Sequence, residues 1–160
     1  DQLIAWAESI EPDVKINENY LHRWWVAKNL KDHDTAVYPD PRGHTAIVRF
    51  FNIYLHKVSV SDDDRALHDH PWFNVSIILR GSYIEVFAGK RKLRLPGSIV
   101  FRSGSTAHRL IVNEGPVWSL FITGPKYREW GFRTVGGWVH WKEFTGFANA
   151  SESNNDPGVI

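Results

Sequence analysis

Cysteine is missing from all 160 residues, which excludes disulfides and thiolate metal sites together. Any metal held here takes nitrogen or oxygen ligands. Methionine is absent too, the initiator included. Excess charge of one sign is equally lacking. With 19 basic and 18 acidic residues the formal net charge is +1. No strong field therefore favours nucleic acid or a membrane surface as partner. No apolar run approaches the ~18 residues of a membrane span. The opening DQLIAWAESI lacks a basic stretch and does not read as a signal peptide. Absent cysteine leaves the compartment open, and the simplest reading is cytoplasmic. There is no P-loop, no dinucleotide glycine fingerprint after a strand and no Gly-x-Ser-x-Gly elbow.

What the chain has is apolar and aromatic residues: 42% hydrophobic, with eight tryptophans. This is globular composition, and the length suits one domain. The expected organisation is a single domain over 1–146 and a polar, turn-rich flexible tail over 147–160. DQLIAWAESI predicts a helix stopped by Pro12. ENYLHRWWVAKNL brings Leu21, Trp24, Trp25 and Leu30 near one side and predicts a second, amphipathic helix. Residues 1–44 thus read as a helical segment, with YPDPRGH as a loop.

Residues 45–146 read as strands. TAIVRFFNIYLHKVSV, rich in β-branched and aromatic residues, predicts one long strand. Shorter strands are expected over Phe73–Leu79, Tyr83–Ala88, Lys92–Leu95, Ser98–Arg102, His108–Val112 and Val117–Thr123. The segments between them are Gly and Pro turns. Many short strands so separated imply a barrel or a double-sheet sandwich. YREWGFRTVGGWVHWKEF predicts an aromatic hairpin, although Trp138 and Trp141 also have the spacing of a helical turn. Its aromatics, Trp130, Phe132, Trp138, Trp141 and Phe144, are expected to pack as core at one end. SDDDRA reads as a solvated turn, and GKRKLRL as a basic hairpin on a lysine-protected edge.

HDHPWFNVSIILRG carries the chemistry. Residues two apart on a strand point the same way, so His68 and His70 face one side together. A metal site needs more than two protein ligands. His108, after a further strand and turn, is the candidate third. His22, His33, His44 and His140 read as surface or local hydrogen-bonding residues.

This pattern resembles the cupin family. Its first motif runs His-x-His, an acid, then a glycine; here His68, His70, Asn74 in the acid's place, and Gly81. Its second runs from a Pro-Gly turn to a histidine; here Pro96, Gly97 and His108. The match covers Ala66 to about Phe121. There are departures. Asp62 stands where a glycine is expected, Ser103 and Ser105 replace a Pro and a Gly, and Val112 replaces an asparagine. The resemblance implies an all-β fold, the double-stranded β-helix or jelly-roll barrel, with short N-terminal helices outside. It implies one divalent metal on His68, His70 and His108, with Asn74 as a possible fourth position. An amide is a neutral, weak ligand, so the set is similar to the three-histidine iron site of cysteine-dioxygenase-like cupins. Fe(II) is favoured, and Zn, Mn, Ni or Cu suit the same nitrogen donors.

Strand parity extends the pocket. Ser76 and Ile78 share the parity of His68 and His70, as does Arg80 near the mouth. Arg102 ends the strand after Gly97. Tyr54 and His56 line a polar strand face with Asn52, and Tyr83 is a further pocket candidate. Tyr54, Arg80 and Arg102 are the catalytic or substrate-orienting candidates, since an inward arginine binds a carboxylate or phosphate. The expected function is a mononuclear metal-dependent oxygenase acting on a small polar molecule. A metal-dependent isomerase or lyase and a non-catalytic ligand-binding cupin are the alternatives. A homodimer is implied by family analogy alone.

Overall fold

A computed structural model describes residues 2–29, 46–48, 51–62 and 66–146. Helix α1 (Gln2–Glu8) forms as expected and buries Ile4 and Ala7, one turn apart. Strand β1 (Val14–Ile16) and a single turn, α2 (Asn17–Tyr20), follow. The second expected helix is otherwise a strand, β2 (Leu21–Asn29). Its side chains alternate. Leu21, Arg23 and Trp25 pack with barrel residues, whereas Trp24 packs under α1. The inward Arg23 hid this alternation from a reading of hydrophobicity alone, and pairing with a neighbouring strand settles the conformation. The helical reading of 1–44 therefore holds only for α1 and α2 among the described residues, and the YPDPRGH loop lies outside them.

The remaining strands are β3 (Ala46–Val48), β4 (Asn52–Val58), β5 (Leu67–His68), β6 (Asn74–Phe87), β7 (Lys90–Arg94), β8 (Ile99–Arg102), β9 (His108–Thr123), β10 (Gly131–Thr134) and β11 (Gly137–His140). A last turn, α3, spans Trp141–Phe144. Two pairs of expected strands are each one long strand, β6 and β9. They run antiparallel from Asn74 opposite Thr123 to Phe87 opposite His108. Their near ends join β8, β4, β2 and β1 into one sheet. Their far ends join β7, β5, β10 and β11 into the other. Two sheets sharing two bent strands make an all-β jelly-roll barrel.

The bend is at Leu79–Ser82, where the register slips. Gly81 sits there at φ +78°, and a Cβ on it would lie 2.7 Å from the Pro116 carbonyl oxygen. Only glycine fits that conformation and that approach. The slip has a consequence for the pocket. Before it, Asn74, Ser76 and Ile78 are the buried positions of β6; after it, Tyr83 and Glu85 are.

Apolar packing lies mostly around the barrel. Ile4, Ala7, Trp24, Leu55 and Trp118 form one cluster beneath α1. Leu21, Val58, Ile78, Tyr83 and Val117 form another at one end of the interior. The C-terminal aromatics pack as core: Trp130 stacks on Trp141 at 5.5 Å, and Phe132 on Phe144 at 3.9 Å. Trp138 is the exception, 43% exposed. β7 is an edge strand paired to β6 alone, with Lys90, Arg91 and Lys92 exposed. Among the described residues no helix is long and apolar enough to cross a membrane. The expected tail, 147–160, lies outside the described residues.

Candidate metal centre

The three histidines of the sequence motif meet inside the barrel. His68 ends β5 and pairs in register with His108 at the start of β9. His70 follows two residues on. One ring nitrogen from each lies within 4.8 Å of the others, and all three side chains are buried. His70 Nε2 and His108 Nε2 are 3.0 Å apart. Two nitrogens bound to one ion at about 2.0–2.1 Å stand about 2.9–3.4 Å apart, so the spacing fits a shared cation. Burial depresses the pKa of each ring, and that of His108 falls to about 3. The rings are neutral at pH 7, the form that ligates a metal.

Carboxylates stand behind two of the rings. His108 Nδ1 is 3.0 Å from Glu85 Oε1, although its N–H is off the line to the oxygen. His68 Nδ1 is 3.6 Å from Asp62 Oδ2. A carboxylate beside Nδ1 favours the proton there and leaves Nε2 for the ion. Asp62 is itself held by the Tyr20 hydroxyl, which donates to Oδ1, and by the Leu110 amide at 2.6 Å. The expected solvated turn at SDDDRA is therefore corrected at Asp62, which is buried. Residues 63–65 of that turn lie outside the described residues.

Glu85 is the centre of a second network. It is 2% exposed. Arg102 Nε donates to its Oε1 at 2.6 Å, and Arg94 donates to its Oε2 through Nε at 2.8 Å. Arg102 also donates to Ser76 Oγ at 3.0 Å, Tyr83 OH at 3.1 Å and Asn74 Oδ1 at 3.2 Å. Burial raises the carboxyl pKa, but His108 and Arg102 together outweigh it, and Glu85 stays ionised with its pKa depressed. Arg94, expected on a solvated edge, instead turns its guanidinium to this carboxylate.

A cavity of about 60 Å³ opens beside the histidines. One side is polar, with His56, Ser76, Arg102 and Ser119; the other is apolar, with Leu21, Val58, Leu110 and Val117. Of the residues singled out in the sequence, His56, His68, His70, Ser76, Tyr83, Arg102 and His108 line it. Four do not. Arg80 is exposed, pairs with Glu8 at 3.0 Å and lies over Trp118, because the register slip between Ile78 and Arg80 breaks the parity that pointed it inward. Tyr54 is packed with Trp72 and Phe121 beneath Arg23. Ile78 is part of the apolar end. Asn74, the candidate fourth position, is fully buried with its carbonyl oxygen engaged by Arg102.

Reading the sequence missed Tyr20, Asp62 and Glu85. Glu85 shares the strand parity of Tyr83, a pocket candidate, but its partners Arg94 and Arg102 lie on other strands and meet it only in the fold. Of the other histidines, His140 is a local partner as expected, capping α3 and meeting Glu129 at 3.2 Å. His33 and His44 lie outside the described residues.

The two-sheet barrel, which brings three histidines inward on β5, its exit and β9, has the fold of solved cupin structures. A cupin-2 domain from Rhodospirillum rubrum superposes with a TM-score of 0.53 at 11% identity, over 78% of this chain and 75% of that one. A cupin 2 conserved barrel protein from Salinispora arenicola gives 0.50 at 15%, over 74% and 84%. A DMSP lyase from Ruegeria pomeroyi gives 0.50 at 14%, over 68% of this chain and 49% of its own. The chain thus spans about half the length of that lyase. No family model and no curated protein matches the sequence.

Proposed function

We propose that this cupin is a metal-dependent oxygenase acting on a small polar molecule, with Fe(II) on His68, His70 and His108. The observation supporting this is the donor set: three neutral imidazoles, two of them 3.0 Å apart at Nε2, and no carboxylate among them. Zn, Mn, Ni or Cu would suit the same nitrogens. A divalent ion bound here supplies Lewis acidity and, if redox-active, a site for O2 beside the substrate.

The chain's own groups do the rest. Ser76 and Ser119 offer hydroxyls to a polar substrate end, and Val58, Leu110 and Val117 exclude water from the other end. Arg102 is fixed by four partners, and with Arg94 it outweighs Glu85 by one positive charge, which favours an anionic substrate group at the polar wall. Tyr83 accepts from Arg102, so its own proton is left to donate, and burial raises its pKa and keeps it there.

A Lewis-acid isomerase or lyase is the second reading, favoured by Tyr20 and Asp62. Both line the cavity, and the phenol donates to the carboxylate, an arrangement suited to moving a proton. Oxygen uptake during turnover separates the two. For either, His108→Ala should keep the fold and abolish turnover and stoichiometric metal. Retained metal and turnover in that variant would end the proposal.

A further inference from the structure

Between the two ligand histidines stands Asp69, fully buried with its side chain on the opposite face from theirs. Its Oδ1 accepts from the Gly131 amide at 2.8 Å, and its Oδ2 from Trp138 Nε1 at 3.1 Å. Both partners belong to the C-terminal hairpin, β10 and β11. Asp69 Oδ2 is also 3.1 Å from Arg128 Nη1. That same nitrogen donates to the carbonyl oxygens of His70, at 3.0 Å, and Gly104, at 2.9 Å. His70 and Gly104 lie on separate segments. The first carries a ligand, and the second is the turn that leads to His108. One backbone hydrogen bond, from the His70 amide to the Gly104 carbonyl, also ties them.

Nothing in this cluster reaches the cavity, and none of it enters the function proposed above. It is nevertheless built. The turn at Gly104 is so close that a Cβ there would lie 2.6 Å from the Tyr127 hydroxyl and 2.7 Å from the His70 oxygen. The Gly104 amide donates to that hydroxyl at 2.8 Å. Tyr127 and Arg128 both donate backbone amides to the Pro71 oxygen. The two-residue strand β5 gains its second neighbour only from β10, Phe132 lying opposite His68.

We infer that the C-terminal segment is an external buckle for the metal centre, in which Arg128, anchored by Asp69, is a positioning residue that sets the separation of His70 from the His108 segment. A charged donor spanning two carbonyls fixes their distance in a way that one neutral hydrogen bond does not. The inference rests on the metal-site reading above, but it also predicts behaviour in the metal-free protein.

The test uses the whole chain and its variants Arg128→Gln, Arg128→Lys and Arg133→Ala. Zn(II) affinity is measured by competition with a chromophoric chelator, the Co(II) spectrum reports ligand geometry, and amide exchange is followed without metal. Arg128→Gln should weaken Zn(II) by roughly 10–100-fold, the usual effect of losing an outer partner of a metal ligand. It should also shift the Co(II) bands and speed exchange at the His70 amide, while amides of β4 stay protected. A lysine ammonium keeps the charge and has protons for both carbonyls but sits on an unforked, less pre-organised stem, so Arg128→Lys should recover part of the affinity. Arg133 is exposed on the same hairpin, and its loss should change nothing. Wild-type affinity, spectrum and His70 protection in Arg128→Gln would overturn the inference, as would an equal loss in Arg133→Ala. If the wild type takes up no metal, the metal reading fails by itself. The His70 exchange rate then decides the buckle alone.

Discussion

The two faces of β6 and β8 are opposite in character, and the polarity is the reverse of an ordinary half-buried sheet. Facing the interior are Asn74, Ser76, Glu85 and Arg102, together with Ile78, Tyr83 and Val100, all buried. Facing outward are Val75 and Ile77, partly buried, and Ile99 and Phe101, 60% and 77% exposed. The interior is polar because the site is there. Burying an arginine and a carboxylate costs several kcal/mol per ion, offset only by close pairing and further hydrogen bonds. The four bonds of Arg102 and the two arginines on Glu85 provide these. Much of the apolar stabilisation lies elsewhere, beneath α1 and among the C-terminal aromatics. On β4 and β9 stability and chemistry occupy opposite faces, with Leu55 and Trp118 beneath α1 and His56 and Ser119 at the cavity.

That division can be broken most severely at Glu85. Glu85→Leu leaves Arg102 buried without its counter-charge, which should cost about 3–5 kcal/mol in denaturant unfolding. The double variant Glu85→Leu, Arg102→Leu should regain most of this, since neither charge is then stranded. If the double variant is as unstable as the single, the pair is not the unit described here.

Acid should weaken the inner face before the outer. In the folded chain His56, His68, His70 and His108 all have depressed pKa values, chiefly through burial. Once unfolded they titrate near 6.5. The unfolded state therefore binds protons first, so the contribution of these rings is complete above about pH 6.5 and is lost progressively as pH falls below it. For a ring held at about 3, as His108 is, about 2 kcal/mol has been withdrawn by pH 5. The other three act in the same direction. Glu85, also depressed, extends the loss below about pH 4.5. Unfolding of metal-free protein from pH 8 to 4 measures this. A flat profile would mean that the rings are charged in the fold, or are not buried.

How much of this was legible in the sequence follows from the same contrast. The ligand histidines could be read because strand parity and two glycine turns fix them locally. The barrel could be read because its turns carry Gly and Pro. Arg102 is a candidate at a strand end, and only the pairing of β8 with β6 turns it inward. Glu85 could not be read, although it shares the parity of Tyr83, because a buried glutamate makes sense only once Arg94 and Arg102 are brought beside it. Nor could the strand at Leu21–Asn29, where a buried arginine interrupts the apolar alternation. Asp62 looked like one of three solvated acids, and its neighbour His68 is close in space only after folding.

The smallest effect is expected on the outer face, at Phe101. The ring is 77% exposed and lies across from Val75 on β6. Its removal uncovers little surface that water does not already reach, so Phe101→Ser should alter stability by less than about 0.5 kcal/mol. Metal affinity should not change, because the neighbouring inward residue, Arg102, keeps every partner. The measurement is denaturant unfolding beside a Zn(II) titration, at several protein concentrations. A loss above 1 kcal/mol that grows with protein concentration would show that another copy of the chain covers this face. In that case the outer face would be a buried surface of an assembly, and the contrast between the two faces would belong to the single chain alone.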